Sequence, residues 1–182
     1  MISRRRALLC LCGLGLSQLM PTAKAAVSLT SIPTSVHEQA MREAIKVARL
    51  NPMYPFGAVI TRAGTGEVLA RGTNAVNINP MLHGEIVCLN NYVASHGNTN
   101  WGKLILYTTG EPCPMCMSAL TWAGIGGVVF ASAIATLTKA GIEQIGISAH
   151  AVVQASDFYR PELLGGILET ETDAMFMNRQ RS

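Results

Sequence analysis

Two short clusters hold the residue types that do chemistry, His83-Gly84-Glu85 and Pro112-Cys113-Pro114-Met115-Cys116. One imidazole and two thiols form a nitrogen–sulfur set suited to tetrahedral zinc, and three protein ligands leave the fourth position to water, as in catalytic rather than structural sites. Cys113 and Cys116 stand three residues apart, on one side of a first helical turn, and the two prolines restrict the chain's approach. Unpaired amides and the dipole at a helix start favour the thiolate form that binds a cation. Glu85, two residues from His83, points away from that ligand on a helix. It is free to take a proton from the water and pass it to a leaving group.

These elements must be positioned by the rest of the chain. Ser35-x-x-Glu38 reads as a capping box opening a first helix, with Val36, Ala40, Ile45, Val47, Ala48 and Leu50 on its apolar side and Pro52 as its stop. Residues 56–61 and 67–72 read as a hairpin turned by Ala63-Gly64-Thr65-Gly66. Helical spacing predicts a second helix over 83–95, and the continuous apolar run 104–108 suits a strand buried on both faces. A third helix is expected from Cys113 to Gly124, a strand over 127–132 and a helical turn at 137–139. Residues 145–153 have no clean period and read as a fifth strand interrupted by polar residues, and 164–177 as a last helix. Two hairpin strands followed by strands separated by helices imply an α/β fold, a three-layer α/β/α sandwich around a central mixed sheet.

Two other functions fit parts of this pattern. A Cys-x-x-Cys after a buried strand and opening a helix is also the arrangement of thiol–disulfide oxidoreductases, though it leaves His83-x-Glu85 unexplained. A structural zinc supporting a binding module needs a fourth ligand. Cys88 lies about 140° around the helix from His83 and faces away. It reads as a small buried apolar residue, and His37, His96 and His150 as surface or satisfied core histidines.

His-x-Glu with Pro-Cys-x-x-Cys is the zinc deaminase signature. From about Ser35 to the C-terminal helix the chain resembles the cytidine and deoxycytidylate deaminase superfamily. Residues 55–60, 106–109, 111–116 and 121–123 are similar to the branch containing guanine deaminases and tRNA adenosine deaminases. The resemblance implies hydrolytic deamination of a nucleobase or nucleoside of purine or cytosine type in a homodimer. His83, Cys113 and Cys116 would bind Zn2+ and Glu85 would shuttle protons. Asn74 matches the asparagine that contacts the ring, and Phe56 and Trp122 match walls of the base pocket. Gly84 stands where the family generally has Ala, which leaves its N–H to a substrate carbonyl and is expected to enlarge the pocket. Thr136 stands where guanine deaminases carry an acid that recognises the purine, which weighs against guanine among the bases and nucleosides left open, and Gly165-Gly166-Ile167-Leu168-Glu169-Thr170-Glu171 is closer to nucleoside and tRNA-type deaminases.

Composition narrows the partner. Of 14 basic residues among the 182, Arg4, Arg5, Arg6 and Lys24 fall in the first 25, which leaves 10 basic against 11 acidic residues in 26–182. No basic stripe for phosphates remains, so a small-molecule substrate is expected and no nucleic acid. The basic start, the apolar run 7–19 and Ala23-Lys24-Ala25 read as an export signal over 1–25, ahead of a catalytic domain over 26–182. The run is too short to span a bilayer, so no membrane segment is expected after cleavage. The paired arginines resemble a twin-arginine signal, a basic start equally opens an ordinary Sec signal, and either route implies an exported, periplasmic destination. Cys10 and Cys12 leave with the signal, and the three remaining cysteines do not make a disulfide framework.

Overall fold

The computed structural model describes residues 23–24 and 27–181; apart from the Ala23–Lys24 backbone, the expected export segment lies outside the described residues. In chain order the elements are β1 (Ala23–Lys24), α1 (Thr34–Ala48), β2 (Gly57–Arg62), β3 (Val68–Thr73), α2 (Gly84–His96), β4 (Leu104–Gly110), α3 (Pro114–Ala123), β5 (Gly127–Ser132), α4 (Ile134–Lys139), α5 (Ala149–Ala155), β6 (Tyr159–Arg160), β7 (Glu162–Leu164) and α6 (Glu169–Met177). Five strands form one mixed sheet in the order β3-β2-β4-β5-β7. Strand β2 is antiparallel to β3 and β4, whereas β4, β5 and β7 run parallel. β1 and β6 form a separate parallel pair.

Alternation along the strands sorts the core into two layers. Ala58, Ile60, Leu104, Leu106 and Val128 pack with Cys88, Leu89 and Tyr92 of α2 and with Met117 and Leu120 of α3. Val59, Ile105, Tyr107 and Val129 face the other way, onto Ala40, Met41, Ala44 and Ile45 of α1. The expected three-layer α/β/α sandwich is the observed fold. Two glycines set how closely the helices approach the sheet. A Cβ at Gly57 would lie 2.3 Å from the Ala44 carbonyl oxygen, and one at Gly72 would lie 2.3 Å from both the Cys88 nitrogen and the Gly84 carbonyl oxygen. Backbone is met in each case, so α1 and α2 sit directly on the strands because these positions carry no side chain. Buried polar groups are paired across the layers. His37 Nε2 donates to the Leu29 carbonyl at 3.0 Å, which leaves Nδ1 to accept from the Tyr107 hydroxyl at 2.9 Å.

Three expectations are corrected. The first helix begins at Thr34 with Pro33 as its N-cap and no side-chain cap. Ser35 is inside the first turn, and Glu38 pairs with Arg42 at 3.2 Å instead of reaching back to the cap. Residues 145–153 are not a strand: Ser148 caps α5 by accepting the Ala151 N–H at 3.1 Å, and the fifth strand of the sheet is β7. The last helix starts at Glu169, because Leu164 completes β7 and Gly165-Gly166, with Gly166 at φ 86°, turns the chain between them.

Candidate active site

The two chemical clusters meet because each opens a helix. His83 is the N-cap of α2 and Cys113 the N-cap of α3, with Pro114 filling the first helical position where its missing N–H costs nothing. β4 ends at Gly110, so Cys113 sits just past the carboxyl end of a parallel strand, the edge at which ligands bind in open α/β sheets. One ligand atom each from His83, Cys113 and Cys116 lie within 4.8 Å of one another. The Cys113 Sγ to His83 Nδ1 distance is 3.6 Å. Tetrahedral zinc, at about 2.3 Å from sulfur and about 2.0 Å from nitrogen, separates such donors by about 3.5 Å, so the group fits Zn2+. Cys88, buried between α2 and the sheet, is not in the group.

Proton affinities in this group are displaced by the neighbours and by burial. The Cys116 thiol donates to Cys113, and this bond, followed by that to His83, brings Cys113 down to about 4. Cys116, fully buried and acting as the donor, is raised, and His83 is raised by Cys113. A thiolate is thus held beside an imidazole at the start of two helices, an arrangement that favours a cation. Glu85 is 3% exposed, and burial raises its carboxyl to about 7. A carboxyl poised there both accepts and returns a proton near neutrality.

Phe56, Asn74, His83, Glu85 and Cys113 line one cavity of about 500 Å³. The structure therefore brings together five of the predicted site residues, with Cys116 behind Cys113. Asn74 serves both as a turn former and as a cavity wall: its Oδ1 accepts the Val76 N–H at 3.2 Å, which leaves Nδ2 as the donor end. Phe56 rests on the fully buried Phe176, ring centroids 4.9 Å apart, and on Gly110, where a Cβ would come within 2.9 Å of the ring.

Two predicted residues stand elsewhere. Trp122 is 76% exposed, stacks on Phe158 with centroids 4.5 Å apart and is not among the cavity's residues, because its position on α3 faces outward. Gly84 does not enlarge the pocket. A Cβ there would lie 2.8 Å from the Phe56 carbonyl oxygen, so its missing side chain is taken up by the close approach of α2 to the segment leading into β2.

The cavity also has walls that the sequence did not single out: Tyr54, Glu111, Ile142, Glu143, Gln144 and Arg179. Thr136 is the third residue of α4, and an acid is present seven positions later, in Glu143. Arg179 laces the cavity's outer loops, donating to the Gly141 carbonyl at 3.1 Å and the Met53 carbonyl at 3.4 Å. No local signal marks these residues, since the loops that carry them meet through tertiary packing. Glu111 had one available signal, an acid directly before Pro112-Cys113.

Comparison with known proteins gives this geometry its family. Residues 34–132 match the cytidine and deoxycytidylate deaminase zinc-binding region. The chain is 35% identical over 91 residues to the guanine deaminase of Bacillus subtilis (strain 168), covering 49% of this chain and 57% of that protein. It is 34% identical over 106 residues to a tRNA-specific adenosine deaminase of Streptococcus pyogenes serotype M18, covering 54% of this chain and 65% of that protein. The matches thus span less than two thirds of these relatives' own length. The solved structure of the guanine deaminase from Nitrosomonas europaea shares the fold, with a TM-score of 0.68 and 21% identity over 96% of both chains. With its zinc-binding region spanning α1 through β5, the chain belongs to the cytidine and deoxycytidylate deaminase family.

Proposed function

We propose that the protein is a zinc-dependent hydrolytic deaminase of a free nucleobase or nucleoside, with guanine the first candidate. The observation that carries this reading is Glu85, a buried carboxyl near pH 7, sharing one cavity with the His83 and Cys113 ligand atoms. The chemistry a bound zinc supplies is acidification of a water towards neutral pH. His83, Cys113 and Cys116 would hold the ion. Glu85 would take up one proton of the water as its oxygen adds to the amino-bearing ring carbon and deliver it to a ring nitrogen, then take the remaining hydroxyl proton and pass it to the amine as the carbonyl forms, the carbon–nitrogen bond breaks and ammonia leaves. Asn74 offers an amide N–H to a ring acceptor, and the face of Phe56 packs against the planar base.

Guanine is favoured by Glu143, whose carboxylate on the same cavity suits the ring N–H and amino donors of a guanine edge. A free base is also favoured by the loop residues Ile78, Met81, Ile145 and Ile147, which are near in sequence to residues of the cavity and are exposed and apolar. Among the described residues Arg179 is the one basic side chain in the cavity wall, where RNA would call for several. Within the same proposal the protein is exported to the periplasm on the strength of residues 1–25, and is a homodimer whose apolar contact includes the exposed Trp122–Phe158 pair. The test is ammonia release from guanine, adenine, cytosine and their nucleosides. Guanine turnover is expected to be highest and to fall about 10- to 100-fold in Glu143→Gln, the loss of one charged hydrogen bond. Turnover of a cytosine or adenine compound with guanine inert would overturn the guanine assignment.

A further inference from the structure

Glu111 is a buried carboxylate, 8% exposed, that the deamination chemistry above does not use. Both of its oxygens are engaged. Oε2 accepts the Ile134 N–H at 2.9 Å and Oε1 accepts the Ala149 N–H at 2.8 Å. Ile134 and Ala149 are the first residues of α4 and α5, so one side chain gathers the starts of two successive helices. Its own N–H donates to the Ser132 carbonyl at 2.7 Å, which fixes the residue to the end of β5. Glu111 stands two positions ahead of Cys113 and itself lines the cavity.

The segment between those helix starts carries Ile142, Glu143 and Gln144 into the cavity. Residues 143–148 are otherwise lightly held. Their side chains are exposed or half-buried, and among the described residues the backbone N–H groups from Glu143 to Ile147 make one hydrogen bond, Ile147 to the Ile145 carbonyl at 2.7 Å. The Glu111 carboxylate therefore pins the far end of this loop, at Ala149, to the chain that presents the metal ligand Cys113. Replacing one oxygen by an amide nitrogen sets a donor against a backbone donor in a buried place.

We propose that Glu111 is a positioning residue: it sets where Glu143 and Gln144 stand relative to the metal ligands and so governs substrate binding, a claim that rests on the deaminase reading above. The bond it makes is charge-assisted, of the kind whose loss is felt as a 10- to 100-fold change by the usual ~1.5–3 kcal/mol.

The experiment compares full-length wild type, Glu111→Gln and Ala149→Pro. Proline at the first helical position keeps the helix and deletes only the N–H that Glu111 accepts. Three quantities are read: hydrogen exchange of the first turn of α5, where the Ala151 and Val152 amides donate to Ser148, zinc content, and kcat and KM for the substrate found in the panel. Both variants are expected to retain zinc, to exchange the Ala151 and Val152 amides about 10-fold faster or more, and to raise KM by about 10- to 100-fold with kcat within about threefold of wild type. Unchanged exchange at Ala151 and Val152 with unchanged KM overturns the proposal, and so does zinc lost from Glu111→Gln, which would place Glu111 in service of the metal loop instead. Should wild type release no ammonia from any compound, the deaminase reading fails by itself, and the exchange and zinc measurements still decide whether Glu111 positions the loop.

Discussion

Replacing Glu85 by Gln in the zinc-free protein isolates what it costs to keep an ionised carboxylate in a dry place. Burial raises the Glu85 carboxyl from 4.5 to about 7. At about 1.4 kcal/mol per unit, the linked change in stability is on the order of 3 kcal/mol. Because the folded value lies above the unfolded one, the stabilisation is complete below pH 4.5, where both states hold the proton, and is lost as pH rises through 7. Gln carries no such titration. Urea unfolding of the two zinc-free proteins between pH 4.5 and pH 8.5 should show wild type losing stability relative to Glu85→Gln by on the order of 3 kcal/mol, most of it before pH 7.5. The cysteine ligands titrate in both proteins, and the difference removes most of their contribution. Superimposable pH profiles would refute the claim that Glu85 is desolvated, and with it the reason for assigning it the proton transfer.

Glycine substitutions should rank by what their Cβ meets. Gly72→Ala, 2.3 Å from α2 backbone, is expected to destabilise by about 3 kcal/mol or more and to weaken zinc binding as α2 carries His83 away; Gly84→Ala, 2.8 Å from one carbonyl oxygen, should cost less, about 1–2 kcal/mol. Thermal unfolding with zinc titration checks the order. Trp122→Ala should leave KM within about twofold, as for a surface change away from the cavity, while sedimentation shows dissociation if the Trp122–Phe158 patch holds a second copy.

The grouping of His83, Cys113 and Cys116 with Glu85 nearby was legible because it is set locally. The spacing of His83, Glu85, Cys113 and Cys116 on two helix starts is written in a few adjacent residues, and the helix geometry that turns spacing into direction is invariant. The sheet was legible for the same reason in β4 and β5, whose apolar runs admit no exposed face. What was illegible depends on partners distant in sequence. Glu143 and Arg179 reach the cavity on loops, and β7 is three residues long, too short to show a period. Ser35 and Glu38 satisfied a capping pattern that Pro33 pre-empted by starting the helix two residues earlier. Ser148 was a cap overlooked beside the apolar residues of 145–153. Gly84 was misjudged because the missing side chain was assigned to the ligand's side, when the backbone of Phe56 already fills that space.

The central claim is that one zinc site and one buried carboxyl together remove an amino group from a base. Zinc content and ammonia release, measured side by side on wild type and Glu85→Ala, test it most directly. One zinc per chain is expected in both proteins, held by His83, Cys113 and Cys116, with a loss of ammonia release of about 10²-fold or more in the variant alone. Ammonia release that survives in Glu85→Ala, or a zinc-free protein whose Cys113 and Cys116 cycle between thiols and a disulfide, would contradict it.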